Sequence, residues 1–204
     1  VLSPRLTIRR TACVALLPHG IDAAGAVFAF FCAIFMATST TSAEETMALT
    51  LTSSAFSQGS DIPLRYTCEG EDIAPPLAWA GVPEAARSLV LIIDDPDAPD
   101  PQAPRMTWVH WVLYNLPTDS HGLPEGATLK DLPPGTAEGI NNWNRGDYGG
   151  PCPPIGRHRY FHKLYALDTV LTGLDRPLKT DIEAAMAGHV IEHVELVGTY
   201  EKSR

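Results

Sequence analysis

From residue 44 onward the apolar positions come in short runs separated by Gly, Pro, Asp and Asn, the rhythm of strands joined by turns. Ser88–Ile93 is a continuous Leu, Val and Ile run without polar alternation, which predicts a strand covered on both faces and ending in Asp94, Asp95, Pro96 and Asp97. Thr107–Asn115 predicts a second core strand, dense in aromatics and Val, with His110 in its middle. In His158–Leu167 strict alternation puts His158, Tyr160 and His162 on one face and Arg159, Phe161 and Lys163 on the other. Leu49–Leu51 reads as an opening strand and Pro63–Cys68 as a short extended piece before the Glu69-Gly70-Glu71-Asp72 turn. A helix is expected only near Thr180–Ala187, capped by Thr180 or Asp181, while Val190–Thr199 fits either a helical turn or a strand.

The N-terminal 43 residues stand apart from this pattern. Ala23–Ala37 is a run of 15 small or apolar residues, preceded by Arg5, Arg9 and Arg10 and followed by TSTTSA. That order matches a secretory leader with a small-residue junction at Ser42-Ala43, and the run is short for a membrane helix. The expectation is a signal-like or non-native segment over 1–43 and a single domain over 44–204, placing the protein in the periplasm or outside the cell. A start at Met47 is the alternative, with a cytoplasmic protein as its consequence.

Residues 44–204 carry 12 basic and 23 acidic side chains with no basic cluster, so nucleic acid is excluded as a partner. Cys68 and Cys152 are the only cysteines there, open to two readings: a disulfide in an oxidising compartment, or buried free thiols. Both flank loops that adjoin the candidate site, so they are expected to lie near each other. His189–His193 spells H-V-I-E-H, the spacing of an inverted zinc peptidase, but no third ligand is placed to follow it, and a solvated or locally paired polar face is the simpler reading. No metal or other cofactor is expected. There is no G-x-S-x-G elbow, Walker loop or G-x-G-x-x-G.

A more specific constellation joins Asp95 and Asp97 at a strand end, His110 within a strand, and His158 with Tyr160 after the Gly-Pro loop that contains Gly150 and Pro151. Each element alone has a plain structural use, as a core histidine or a turn aspartate. Together with their surroundings they resemble the phosphatidylethanolamine-binding proteins, also called Raf kinase inhibitor-like proteins, in their bacterial branch. The carriers are YTCEGEDIAPPLAW (Tyr66–Trp79), DDPDAP (Asp94–Pro99), WVHWVLYNLP (Trp108–Pro117), GGPCPPIGRHRYFHKLYALD (Gly149–Asp168) and GTY (Gly198–Tyr200). The chain departs from the animal pattern in Cys152, where Pro is common, and in Val109, which precedes His110 where animal members have a second His. His162 stands where bacterial relatives carry an aromatic residue.

The resemblance implies a mainly β fold: a large central antiparallel sheet packed on a smaller one, peripheral helices, and an anion pocket at one end. By matching motifs, Asp95, Asp97, His110, Gly150, Pro151, His158 and Tyr160 fall in that pocket. The expected activity is non-enzymatic binding of phosphate, a phosphoryl or phospholipid headgroup, or a carboxylate. In this reading His110, His158, Tyr160 and loop amides donate hydrogen bonds, while Asp95 and Asp97 orient the imidazoles or meet an ammonium group. The alternatives are a phosphoester hydrolase that uses the same Asp and His residues, and a protease or kinase inhibitor acting through a loop. The motifs assign no protein partner and leave a homodimer open.

Overall fold

The computed structural model describes residues 47–203. The leader-like segment and its Ser42-Ala43 junction lie outside the described residues. In chain order the elements are β1 (Thr50–Thr52), a 3-10 turn (Leu64–Tyr66), β2 (Leu77–Ala80), β3 (Ser88–Asp95), β4 (Trp108–Leu116), β5 (Gly122–Leu123), β6 (Ala137–Glu138), β7 (Arg157–Leu167), α1 (Lys179–Met186) and β8 (Val190–Glu201). Two antiparallel sheets result, a small one ordered β1-β2-β5 and a large one ordered β6-β4-β3-β7-β8. Among the described residues no helix is long and apolar enough to cross a membrane.

Strand β3 is the centre of the large sheet, and all eight of its residues are buried. Its alternate side chains feed two cores. Leu89, Leu91 and Ile93 pack with Leu51, Leu77 and Trp79 of the small sheet, whereas Val90 and Ile92 pack with Ile182 and Met186 of α1. The unbroken apolar run therefore reflects real cover on both faces. Strand β8 pairs with β7 along nearly its whole length, from Arg157 opposite Glu201 to Leu167 opposite Val190, so the final segment is a strand.

Two local expectations change, and the pairing of the His189–His193 stretch is resolved. Pro63–Cys68 does not extend; Tyr66 N–H donates to the Pro63 carbonyl and Thr67 N–H to that of Leu64, closing a tight turn that starts at Pro63. Helix α1 begins one residue early, with Leu178 at the N-cap; Thr180 does not cap it, but the Asp181 carboxylate accepts the Leu178 N–H at 2.9 Å. His189 and His193 belong to the approach to β8 and to β8 itself. His189 Nδ1 meets Asp168 at 2.8 Å, Glu192 accepts the Leu49 N–H at 3.0 Å, and His193 stacks on Tyr165. These residues tie neighbouring segments together and share no helical face.

Asp94 shows how the sheet tolerates a carboxylate in its core. It is fully buried, and Lys163 of β7 and Lys179 of α1 reach its oxygens at 2.8 and 2.6 Å. The aspartate thus links the central strand to its neighbour and to the helix. Asp94→Ala should cost about 3–5 kcal/mol, because two largely buried ammonium groups lose their counter-charge. Urea unfolding checks this, and a loss below about 1 kcal/mol would show that the lysines reach water unaided.

Candidate functional site

The end of β3, a bulge in β4 and the start of β7 build one corner of the large sheet. Ile93 lies opposite Trp111, and Asp94 opposite Val109, so β4 accommodates one extra residue, His110. Such a bulge re-aims a side chain that strict alternation would send elsewhere. The His110 ring stands edge-on to Tyr160 and to Trp143, both with centroids 5.2 Å away. Beyond Asp95 the chain turns at Pro96 and folds back, so that Asp97 N–H donates to Asp95 Oδ1 at 2.8 Å.

A cavity of about 320 Å³ opens at this corner. Its polar wall is Asp95, His110 and His158, and its apolar wall includes Met106, Trp108, Trp143 and the Cys152-Pro153-Pro154 segment. Three expected residues are therefore brought together. Four are not in the lining. Asp97 is bound to Arg159, whose Nε and Nη2 donate at 2.9 and 2.7 Å and whose backbone N–H donates at 2.9 Å; these bonds hold its carboxyl below the usual range. Gly150 N–H donates to Asp72 Oδ1 at 2.7 Å, and the Pro151 carbonyl accepts from Cys68 N–H at 3.1 Å, so both anchor the loop from behind. Tyr160 sits in the main core behind His110, and burial pushes its phenol well up. His162 lies deeper still, against Phe56.

The two site histidines differ in what they can offer. His158 Nδ1 is 2.7 Å from Asp95 Oδ2, and its Nε2 is 3.0 Å from the Ile155 carbonyl. The carbonyl and the carboxylate are both acceptors, so each ring nitrogen is directed at an acceptor. Burial raises the Asp95 carboxyl against the opposing pull of His158. His158 consequently has no free donor for an anion, contrary to the expectation from sequence; its ring is a support for Asp95. His110 Nδ1 donates to the Gly149 carbonyl at 2.6 Å, which leaves Nε2 buried and without a partner. Desolvation holds the His110 imidazole down at about 4, so Nε2 presents a lone pair.

Sequence reasoning missed the aromatic part of the site. Trp143 is 39% exposed although it lies in a loop of Asn, Gly and Arg, and Gly149 is tightly packed against its ring. A large aromatic residue among turn formers was the available signal. The loop is centred on Asn141, whose Oδ1 accepts from Trp143 N–H at 2.9 Å and whose Nδ2 donates to the Asp147 carbonyl at 2.7 Å. Cys68 and Cys152 are joined in a disulfide with Cα atoms 5.4 Å apart.

His110 and His162 are both held down at about 4, largely by burial, against the usual 6.5. On acidification the unfolded chain takes up protons first, so stability is fully present above about pH 6.5 and falls as pH drops toward 4. Each imidazole contributes up to about 3 kcal/mol to that loss. Urea unfolding between pH 7 and 4.5 should show it, and His162→Phe should make the decline shallower; an unchanged slope in that variant would remove His162 from the account.

Comparison with known proteins gives one family model and several relatives. The family model described as phosphatidylethanolamine-binding protein matches residues 52–201. A UPF0098 protein of Methanothermobacter thermautotrophicus is 48% identical over 155 residues, covering 76% of this chain and 99% of the relative. A UPF0098 protein of Chlamydia pneumoniae is 45% identical over 153 residues, covering 75% and 99%. Among solved structures, the phosphatidylethanolamine-binding protein homologue CT736 of Chlamydia trachomatis superposes with a TM-score of 0.70 at 44% identity, covering 76% of this chain and 99% of that one. Escherichia coli YbcL superposes with a TM-score of 0.69 at 29% identity, covering 77% and 100%. The family match over residues 52–201 includes the strands and loops that form the cavity, and the chain belongs to the phosphatidylethanolamine-binding protein family.

Proposed function

We propose that the protein is a non-enzymatic binding protein whose corner cavity takes the acidic head of a small phosphorylated, sulfated or carboxylated ligand. The observation that carries this reading is the buried, unpartnered Nε2 of His110, a residue that lines the cavity and whose ring is fixed by its bond to Gly149. A buried polar atom without a partner costs free energy, and a ligand oxygen that shares a proton with it removes that cost. The same contact can be written as a protonated acid on a neutral imidazole or as an anion on an imidazolium. An anion therefore binds with uptake of one proton.

The other ionisable groups of the corner support binding over turnover. Asp95 and His158 are engaged with each other and with the loops. Asp97 is engaged by Arg159. A general acid or base needs an atom free to exchange a proton with substrate, and only His110 offers one among the four. Met106, Trp108, Trp143 and the prolines supply an apolar surface for the body of the ligand. Flat rings suit the two tryptophans.

Sulfate and phenyl sulfate keep constant charge across neutral pH, so they isolate the contribution of the protein. Calorimetric titration should show affinity falling from pH 5.5 to 8 by up to about tenfold per unit, because the proton needed on His110 grows scarcer. Phenyl sulfate should bind more tightly than sulfate, and Trp143→Ala should narrow that gap. His110→Gln should weaken binding by roughly tenfold or more and flatten the pH dependence. Affinity that is flat with pH and indifferent to His110→Gln would sink the reading.

A further inference from the structure

We propose that the Cys68–Cys152 disulfide is a reducible latch that fastens one wall of the cavity, making ligand binding responsive to dithiol reductants. Both cysteines are solvent-exposed, and Cys152 is itself part of the cavity wall. An exposed disulfide is open to attack by an incoming thiolate, unlike one sealed in a core. Its partner, Cys68, comes from a loop 84 residues earlier in the chain, directly after the 3-10 turn.

What the bond holds is unusual in composition. Pro151-Cys152-Pro153-Pro154 has three prolines in four residues, so most of the segment has no backbone N–H to donate. The usual means of pinning a loop is thus largely removed. The chain before the segment is well anchored: Tyr148 O–H donates to the Tyr66 carbonyl at 3.1 Å and Gly150 N–H to Asp72 at 2.7 Å. The Pro151 carbonyl takes the Cys68 N–H at 3.1 Å. Past that point the disulfide joins Cys152 to the Cys68 loop, and the bond from His158 Nε2 to Ile155 O, at 3.0 Å, is the next fastening. Gly156, at φ +69°, ends the segment. A stiff proline rod between an anchored end and a glycine, with a covalent tie in its middle, is a wall whose position depends on that tie.

The chemistry balances with a dithiol. A thiolate of the reductant attacks one sulfur of the Cys68–Cys152 bond, and its second thiol closes the reductant's own disulfide. Two electrons pass to the protein, and Cys68 and Cys152 each end as a protonated thiol. The two sulfurs then retreat to non-bonded distance, and Cys152, Pro153 and Pro154 are released from the cavity. A ligand must now order that wall as it binds, so the reduced protein binds more weakly.

This inference rests on the cavity being the ligand site, and the test separates the two claims. Phenyl sulfate is titrated into the full chain as isolated under air, after dithiothreitol, and after reoxidation; amide hydrogen exchange at Cys152, Ile155, Gly156 and Arg157, the positions in 152–157 that carry an N–H, is followed in the same samples. Dithiothreitol should weaken binding about tenfold and speed exchange over 152–157, reoxidation should restore both, and Cys68→Ser should remain in the weak state. Reduction that proceeds only when the chain is unfolded, or affinity and exchange unchanged in the reduced native protein, would make the bond a structural staple and overturn the proposal. If the oxidised protein fails to bind phenyl sulfate at all, the ligand reading falls. Exchange then decides the latch: faster exchange on reduction supports it, and unaltered exchange refutes it.

Discussion

The structure depends on neutralising three carboxylates at the end of a strand that is covered on both faces. Asp94, Asp95 and Asp97 are all buried, and an uncompensated charge in such a place costs several kcal/mol. Each finds its own partner on β7: Lys163 for Asp94, His158 for Asp95 and Arg159 for Asp97. Lys179 of α1 adds a second cation to Asp94. The apolar run of β3 drives the sheet together, and the acids at its end fix how β7, the turn after β3 and the helix meet there.

That arrangement also decides the character of the cavity. Because the acids and their partners satisfy one another, the corner carries little free charge despite its density of ionisable groups. The exception is His110, placed by a bulge and tethered through Nδ1, with nothing on its other nitrogen. Beside that nitrogen stand the aromatic rings and prolines of the apolar wall. The chain as a whole carries a net charge of -9, so no broad positive field surrounds the corner.

Two successive parts of the long β6–β7 connection complete the cavity and are held in different ways. The loop carrying Trp143 is organised by the side chain of Asn141, which bonds backbone groups on both sides of the turn. The proline loop lacks most of its own donors and is fastened from outside by Tyr66, Cys68 and Asp72. A rigid sheet thus presents one self-supporting wall and one borrowed wall, a division that makes the second sensitive to what happens at Cys68.

The sequence by itself determined the core strands and their faces. The apolar run of Ser88–Ile93 and the alternation of His158, Tyr160 and His162 depend only on local periodicity, which burial on one or two faces imposes directly. It also brought Asp95, His110 and His158 to one corner through ordered motifs. Tertiary structure decided the rest, since each outcome depended on a partner distant in the chain. Val190–Glu201 is a strand because β7 offers it a full edge to pair with, and its own pattern was ambiguous. Asp97 turns from the cavity to Arg159, 62 residues away, and His158 spends both nitrogens on Asp95 and Ile155. Trp143 reaches the cavity only because Asn141 folds its loop back, and Cys68 meets Cys152 only once the loops around Tyr66 and Tyr148 are packed. Hydrogen-bond partners and bulges are set by three-dimensional competition among donors and acceptors, and no periodicity along the chain encodes its result.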